Sequence, residues 1–86
     1  MAAERRNQEE LQYDDEMLKK LADRIRTLRK KKGYPNYEQF AYEHNISRAQ
    51  FGRYEKGENL RFLSLQKVVN AFGMTLAEFF SEGFDK

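Results

Sequence analysis

The stretch of sequence that decides the fold runs from Asn36 to Gly57 and reads NYEQFAYEHNISRAQFGRYEKG. Its pattern predicts a short helix, a tight turn at Asn45 and a second short helix. Asn36 and Ser47 stand where the two helices begin, and such side chains accept hydrogen bonds from the unpaired N–H groups of a first turn. Asn also tolerates the left-handed backbone conformation better than most residues. The stretch therefore predicts two helices joined by a tight turn.

The second of these helices has an apolar face and a polar, cationic face. Phe51 and Tyr54 are three residues apart, so both point inward. Phe40 and Ala41 give the preceding helix its inward face. The residues left outward, or near the start of the second helix, are Arg48, Ala49, Gln50, Gly52 and Arg53. This layout is typical of a helix-turn-helix, in which the second helix enters the major groove of DNA.

The charge of the chain is concentrated in the segment that contains this stretch. The 86 residues carry a net charge of only +2. Residues 17–67, however, hold thirteen Lys and Arg against five acidic residues, whereas residues 1–16 hold two Arg against six. Local charge governs attraction to phosphates more than the total does. The basic segment therefore favours nucleic acid as the partner.

Composition excludes several other classes of protein. The length suits one small domain, and the absence of cysteine leaves no disulfide or cysteine-ligated zinc. No apolar run approaches the length of a signal peptide or of a membrane span. We therefore expect a cytoplasmic, nucleoid-associated protein with no membrane contact.

The segments that flank the central stretch also read as helices. A first helix is expected to begin at a cap on Asp14 or Asp15 and to end at Gly33. Its apolar stripe consists of Leu18, Leu21, Ile25 and Leu28. A fourth helix is expected over about Phe62 to Phe72, and a fifth begins with a capping box of Thr75 and Glu78.

These elements predict an all-α fold of five short helices with no strand. The predicted domain covers residues 15–82, after a flexible polar arm at 1–14 and before a tail at 83–86. The fourth helix should turn Leu65, Val68, Val69 and Phe72 inward. Four phenylalanines are expected in the core: Phe40, Phe51, Phe62 and Phe72.

From about Leu18 to Phe80 the chain resembles the Cro/repressor-type, or XRE-like, helix-turn-helix family. The matching segments are LADRIRTLRKKKG, NYEQFAYEHNISRAQFGRYEKGEN and LQKVVNAFGMTLAEFF. The resemblance implies a compact lambda-repressor-like bundle of five helices that binds operator DNA, commonly as a dimer. The chain departs from the family at Tyr37, where Gln is usual, at His44, where an apolar residue is usual, and at Asn45, where Gly is usual.

The outward residues of the second motif helix are the candidates for contact with DNA bases. Arg can pair with guanine O6 and N7, Gln can reach a base edge, and Ala can meet a thymine methyl group. The expected base-contacting residues are Arg48, Ala49, Gln50 and Arg53. The expected contacts to the sugar–phosphate backbone are Tyr37, Ser47, Lys56, Asn59 and Arg61. The last three surround the loop after the second motif helix, and the resemblance implies that this loop lies on the DNA backbone.

Two further sets of residues are expected to be structural. The resemblance implies an ion pair between Arg29 and Glu55. Gly52 is costly inside a helix, and either close approach to DNA or crowding by a neighbouring helix would explain it. The expected dimer interface is the C-terminal segment with Met74, Phe79, Phe80 and Phe84. Adjacent Phe79 and Phe80 point about 100° apart on a helix, so both cannot easily reach one small core. One of them, with Phe84, is then left for an apolar surface patch, which often marks an interface.

No constellation of residues indicates an enzyme, a metal site or a cofactor. His44 is the only histidine and has no Cys or second His to share a metal. The leading hypothesis is a sequence-specific double-stranded DNA-binding protein that represses transcription by occupying its operator. One alternative is an antitoxin that also binds a protein toxin, and another is an interaction adaptor that has lost DNA binding.

Overall fold

The computed structural model describes residues 8–85, and within that range its regular secondary structure consists of helices only, with no strand. Five helices follow one another along the chain: α1 Gln8–Lys31, α2 Tyr37–Glu43, α3 Arg48–Tyr54, α4 Phe62–Ala71 and α5 Leu76–Phe79. The predicted fold class, a compact five-helix all-α bundle, is confirmed. None of these helices is both long and apolar enough to span a lipid bilayer.

The helix caps lie where the sequence predicts them. The side chain of Asn36 accepts a hydrogen bond from the Gln39 backbone N–H at 3.0 Å, and Ser47 accepts from that of Gln50 at 3.3 Å. Thr75 and Glu78 form the predicted capping box, with bonds of 2.9 and 3.1 Å. Each cap satisfies an N–H group that has no partner within its helix.

The start of α1 differs from the prediction. The helix begins at Gln8 rather than at a cap on Asp14 or Asp15, so the predicted arm at 1–14 is helical from Gln8 onward. Residues 1–7 of that arm lie outside the described residues. The segment from Gln8 to Asp14 contains no Gly or Pro, and Glu9 and Glu10 stand in the first turn, where the helix dipole favours negative charge.

The core lies where all five helices meet, around the ring of Phe40. Phe40 is fully buried, and its ring centroid lies 4.3 Å from that of His44, 4.9 Å from Phe72 and 5.2 Å from Phe51. His44 therefore packs at the edge of the core, where the resembling helix-turn-helix family usually has an apolar residue. The buried apolar residues are Ala22, Ile25, Leu28, Phe40, Ala41, Ile46, Phe51, Tyr54, Leu65, Val68, Val69, Phe72 and Phe79.

Phe62 is an exception to the predicted core. Its side chain is 60% exposed, and Leu63 beside it is also exposed. Phe62 is the first residue of α4 and stands one turn before Leu65, which is buried. The prediction that Phe62 is a core residue is wrong, because helical spacing identifies a face but not whether another element covers it.

The turn between α2 and α3 sets the relative position of these two helices. Asn45 has a positive φ of 61°, the left-handed conformation that the sequence predicts there. The backbone N–H of Ile46 then donates to the Ala41 carbonyl at 2.8 Å. Ile46 is buried immediately after the turn and anchors the start of α3 in the core.

Candidate nucleic-acid interface

The C-terminal end of α3 is held from behind by a buried ion pair. Arg29 of α1 donates from Nε to Glu55 Oε2 at 2.8 Å and from Nη2 to Glu55 Oε1 at 3.0 Å. Its Nη1 donates to the Tyr34 carbonyl at 2.9 Å. Both charged side chains are 6% exposed. The pair that the resemblance implies is therefore present as a two-bond, nearly water-free contact between α1 and α3.

A second arginine of α1 holds the same end of α3. Arg26, one turn before Arg29, donates to the backbone carbonyl of Glu55 and to the Asp23 carboxylate. The last carbonyls of a helix have no partner within the helix, so this bond caps α3 from another element. Sequence reasoning missed Arg26, although its spacing of three residues from Arg29 was the available signal.

The two faces of α3 separate as predicted, except at one residue. Phe51 and Tyr54 are buried, and the four predicted base-contacting residues are all exposed. Those four are Arg48, Ala49, Gln50 and Arg53. Gly52, which the sequence analysis grouped with the outward residues, is buried instead. The structure thus gives α3 one continuous polar face with two arginines.

Arg53 already has a partner on this face. Its Nε lies 3.2 Å from Oε1 of Glu58 in the loop between α3 and α4, and both side chains are about half exposed. Glu58 was not among the expected site residues. An exposed pair of this kind is worth little in stability, so the contact with Glu58 leaves Arg53 free to take another partner.

The predicted backbone-contacting residues surround this face of α3. Tyr37 and Ser47 border a shallow depression beside Arg48 and Ala49. Asn59 and Arg61 border a second one that also includes Gln50 and Arg53. Lys56 follows α3 and is exposed. The structure therefore brings Tyr37, Ser47, Asn59 and Arg61 next to the predicted base-contacting residues.

One cation beside α3 was not predicted. Lys67 of α4 is exposed and borders a small depression with Ser47, Gln50 and Ser64. Val68, the next residue along α4, is buried at the base of the same helix turn and borders the same depression. A charged residue on the outer side of a helix is usual, so nothing in the sequence alone distinguished Lys67.

The predicted dimer residues do not all lie on the surface. Phe79 is fully buried, so the prediction that it contributes to an interface is wrong. Phe80 is 43% exposed, and its ring centroid lies 4.8 Å from that of the half-buried Phe84. Met74 is half-buried and packs against the core. The exposed part of this apolar cluster therefore centres on Phe80.

Arg24 holds the C-terminal end of α5, next to the buried Phe79. This buried arginine of α1 donates from Nε to the Phe79 carbonyl at 2.8 Å and from Nη2 to the Glu78 carbonyl at 3.1 Å. Its guanidinium also lies over the Phe79 ring, 5.7 Å from the centroid. The C-terminal end of α5 is thus fixed by α1, as is that of α3.

Tyr34 and Glu43 form a hydrogen bond that shifts the pKa of both side chains. The Tyr34 hydroxyl donates to Glu43 Oε1 at 2.6 Å, and the Gln39 amide donates to Oε2 at 3.1 Å. The Tyr34 bond, followed by the Gln39 bond, lowers the pKa of Glu43, and the bond to Glu43 raises the pKa of Tyr34. Near neutral pH the carboxylate stays ionised and the phenol stays protonated.

Nothing in the described residues resembles a metal site. No group of three or more His, Cys, Asp or Glu in residues 8–85 could hold an ion. The features that stand out are instead a short exposed helix with two arginines, a preceding helix that packs across it, and a loop and a neighbouring helix that add cations. These features define a helix-turn-helix DNA-binding domain.

Comparison with known families identifies the type of domain. The profile of the family described as the Cro/C1-type HTH DNA-binding domain matches residues 24–81, which is more than half of the chain. The chain belongs to this family. No curated protein and no solved structure shows significant similarity to it.

Proposed function

We propose that the chain is a sequence-specific double-stranded DNA-binding protein that represses transcription by occupying its operator. The observation that carries the proposal is the exposed polar face of α3, which is backed by a buried anchor at Glu55 and lies in a domain of the Cro/C1-type family. In this proposal α3 lies in the major groove, and the protein, which acts on chromosomal DNA, works in the cytoplasm at the nucleoid. The proposal assigns no catalytic reaction and no cofactor.

The residues around α3 divide into two roles. Arg48, Arg53 and Gln50 read base edges, and Ala49 meets a thymine methyl group. The backbone contacts come from Tyr37, Ser47, Lys56, Asn59 and Arg61, and Lys67 joins them because it borders the same surface as Gln50. Phosphate contacts orient the domain, whereas base contacts select the sequence.

The direct test is selection of bound duplexes from a random DNA pool. The most enriched duplex is then titrated with the protein at several salt concentrations. We expect one enriched sequence. If about five phosphates are neutralised, log K should fall against log salt with a slope of about −4.5. Failure to enrich any sequence, or a slope close to zero, would favour an interaction adaptor that has lost DNA binding.

Lys56→Ala and Lys20→Ala make a matched pair for this titration. Both remove one positive charge, but Lys20 borders a depression with Arg24 and Glu82 at the α5 end of the domain. Lys56→Ala should weaken binding to all duplexes about equally and make the slope shallower by about 0.9. Lys20→Ala should leave the slope unchanged. Equal effects of the two changes would mean that total charge, and not this surface, governs binding.

We further propose that the protein acts as a homodimer through the apolar cluster of Phe80, Phe84 and Met74. One recognition helix covers few base pairs, whereas two-fold pairing places two helices about 34 Å apart and reads a palindrome. The exposed ring of Phe80 supports this choice of surface. The palindromic symmetry of the selected duplex provides a second, independent readout.

Sedimentation equilibrium tests the dimer. Phe80→Glu and Phe84→Glu should convert a dimer to a monomer, whereas Tyr42→Glu, at a 78% exposed ring on α2, should not. A wild type that is monomeric at high micromolar concentration and binds its duplex one to one would rule the dimer out.

A second candidate function is an antitoxin that binds DNA and also a protein toxin. The observation that favours it is the N-terminal part of α1, where Leu11 is 49% and Tyr13 is 61% exposed. Exposed apolar side chains on a helix provide anchors for a protein partner. Co-expression with the product of an adjacent gene tests this: neutralisation of a toxic product that depends on Leu11 and Tyr13 would favour the antitoxin over the simple repressor.

A further inference from the structure

Gly52 needs an explanation that its own backbone does not provide. The other four glycines have positive φ values between 72° and 98°, a conformation that favours glycine. Gly52 instead lies within α3 and has no positive φ. A glycine in a helix interior costs about 1 kcal/mol relative to alanine. The absence of a side chain at this position must therefore serve a neighbouring group.

The neighbour is Tyr37, the first residue of α2. A Cβ atom at Gly52 would lie 2.9 Å from each of three Tyr37 atoms, namely Cε1, Cζ and the hydroxyl oxygen. Real Cβ atoms do not approach other atoms this closely. The hydroxyl end of the phenol therefore rests on the backbone of α3, in space that a Cβ at position 52 would occupy unless the phenol moved away. Crowding by a neighbouring helix, one of the two explanations for Gly52, is the one that the packing supports.

This packing fixes where the Tyr37 hydroxyl lies. The side chain is half-buried and borders the depression that also includes Ser47 and Arg48, on the α3 side of the domain. Tyr34 donates its hydroxyl to Glu43, whereas the Tyr37 hydroxyl makes no hydrogen bond to any of the described residues. A phenol can donate one hydrogen bond to a phosphate oxygen. The ring is thus held by α3, and its donor remains available on the surface proposed to face DNA.

We propose that Gly52 is a positioning residue, which lets Tyr37 lie across α3 so that its hydroxyl donates to a DNA phosphate beside Arg48. Residues 37 and 52 then form a matched pair: Tyr at 37 requires Gly at 52. A more flexible side chain at 37, such as the Gln usual in the family, would leave room for a Cβ at 52. The inference rests on the proposed function, which it deepens by naming a contact and the residue that orients it.

The close packing of Tyr37 on Gly52 can be tested without DNA. Gly52→Ala should lower the melting temperature of the full chain, although alanine is the better helix former. In a Tyr37→Gln background the same change should raise it, because the clash is gone and the helix propensity remains. A rise in melting temperature on Gly52→Ala with Tyr37 in place would overturn the inference.

The binding half is tested with the duplex obtained by selection. Tyr37→Phe keeps the ring and removes only the donor, and we expect affinity to fall about tenfold, since hydrogen bonds to charged acceptors are the stronger ones. The salt slope should stay unchanged because no charge is lost. Gly52→Ala should weaken binding to a similar extent, but it should have no further effect when added to Tyr37→Phe.

Duplexes with one neutral methylphosphonate, placed at each backbone position in turn, identify the phosphate. At one position, neutralising the phosphate should lower the affinity of the wild type but should not change the affinity of Tyr37→Phe. A merely structural role for Gly52 would lower the melting temperature without changing this pattern. Wild type that binds no duplex would overturn the proposed function and this inference together. Normal wild-type binding, with Tyr37→Phe equal to wild type, would overturn this inference alone.

Discussion

The α3 helix has an arginine–glutamate pair on each of two sides, and the two pairs have different functions. Behind α3, Arg29 and Glu55 form two hydrogen bonds with both side chains 6% exposed. In front, Arg53 and Glu58 approach to 3.2 Å with both side chains about half exposed. The same two residue types therefore produce one structural anchor and one loose surface contact.

Burial is the reason for the difference. In a buried pair the charges have lost their water, so removal of one partner leaves the other without compensation. In an exposed pair water and salt replace either partner at little cost. Arg53 can therefore leave Glu58 for a guanine or a phosphate, whereas Arg29 cannot leave Glu55 without disturbing the end of α3. We expect the following changes to separate the two pairs.

The largest effect should come from Arg29→Met. This change leaves Glu55 charged and buried, and we expect a loss of about 3–5 kcal/mol in the free energy of unfolding. For a domain of this size that corresponds to a fall of more than about 12 °C in melting temperature. Thermal and urea unfolding of the purified variant measure it.

The double change Arg29→Met with Glu55→Leu is the control for that prediction. Apolar residues of similar volume often replace a buried pair without loss, so the double variant should recover much of the stability. Additive losses in the double variant would contradict the idea that the two residues stabilise the fold through their pairing.

An intermediate effect is expected from Arg48→Ala, which tests the exposed face directly. The variant should keep its melting temperature, because Arg48 is exposed, and should relax preference at one base position by about 1–3 kcal/mol. Selection from a random pool, repeated with the variant, shows which position changes. An unaltered sequence preference would show that Arg48 is not a base-reading residue.

The smallest effect is expected from Glu58→Gln. Stability should change by less than about 1 kcal/mol, because the pair with Arg53 is exposed. Affinity for DNA should rise by about threefold, since the change frees Arg53 and removes an acid that repels phosphates. Glu82→Gln is the matched control: it also neutralises an exposed glutamate near an arginine, Arg24, but at the α5 end. Reduced affinity for Glu58→Gln would mean that Glu58 orients Arg53 for binding instead of competing with DNA.

The parts of the structure that the sequence predicted are local ones. Caps at Asn36, Ser47 and Thr75 depend on a side chain and an N–H group three residues later, so a short window contains all the information. The left-handed Asn45 is likewise a property of one residue type at a turn. The start of α1 was missed because two adjacent acids resembled a cap, although no helix breaker precedes them.

Only part of the candidate site was predicted from the sequence. The exposed face of α3 followed from helical periodicity, and the Arg29–Glu55 pair came only from the family resemblance. Glu58 and Lys67 were missed, because their proximity to Arg53 and Gln50 depends on how the loop and α4 return to α3. Whether these residues contact DNA stays a prediction.

By itself, the sequence determined that the chain forms helices, where most of them begin and end, and which face of α3 is polar. These properties depend on contacts between residues three or four apart, which are the same in any helix. Only the tertiary structure decided that Phe79 is buried and Phe80 exposed, that Phe62 lies outside the core, and that Gly52 makes room for Tyr37. The reason is physical: burial and close packing are relations between elements distant in sequence, and no local pattern contains the distance between them.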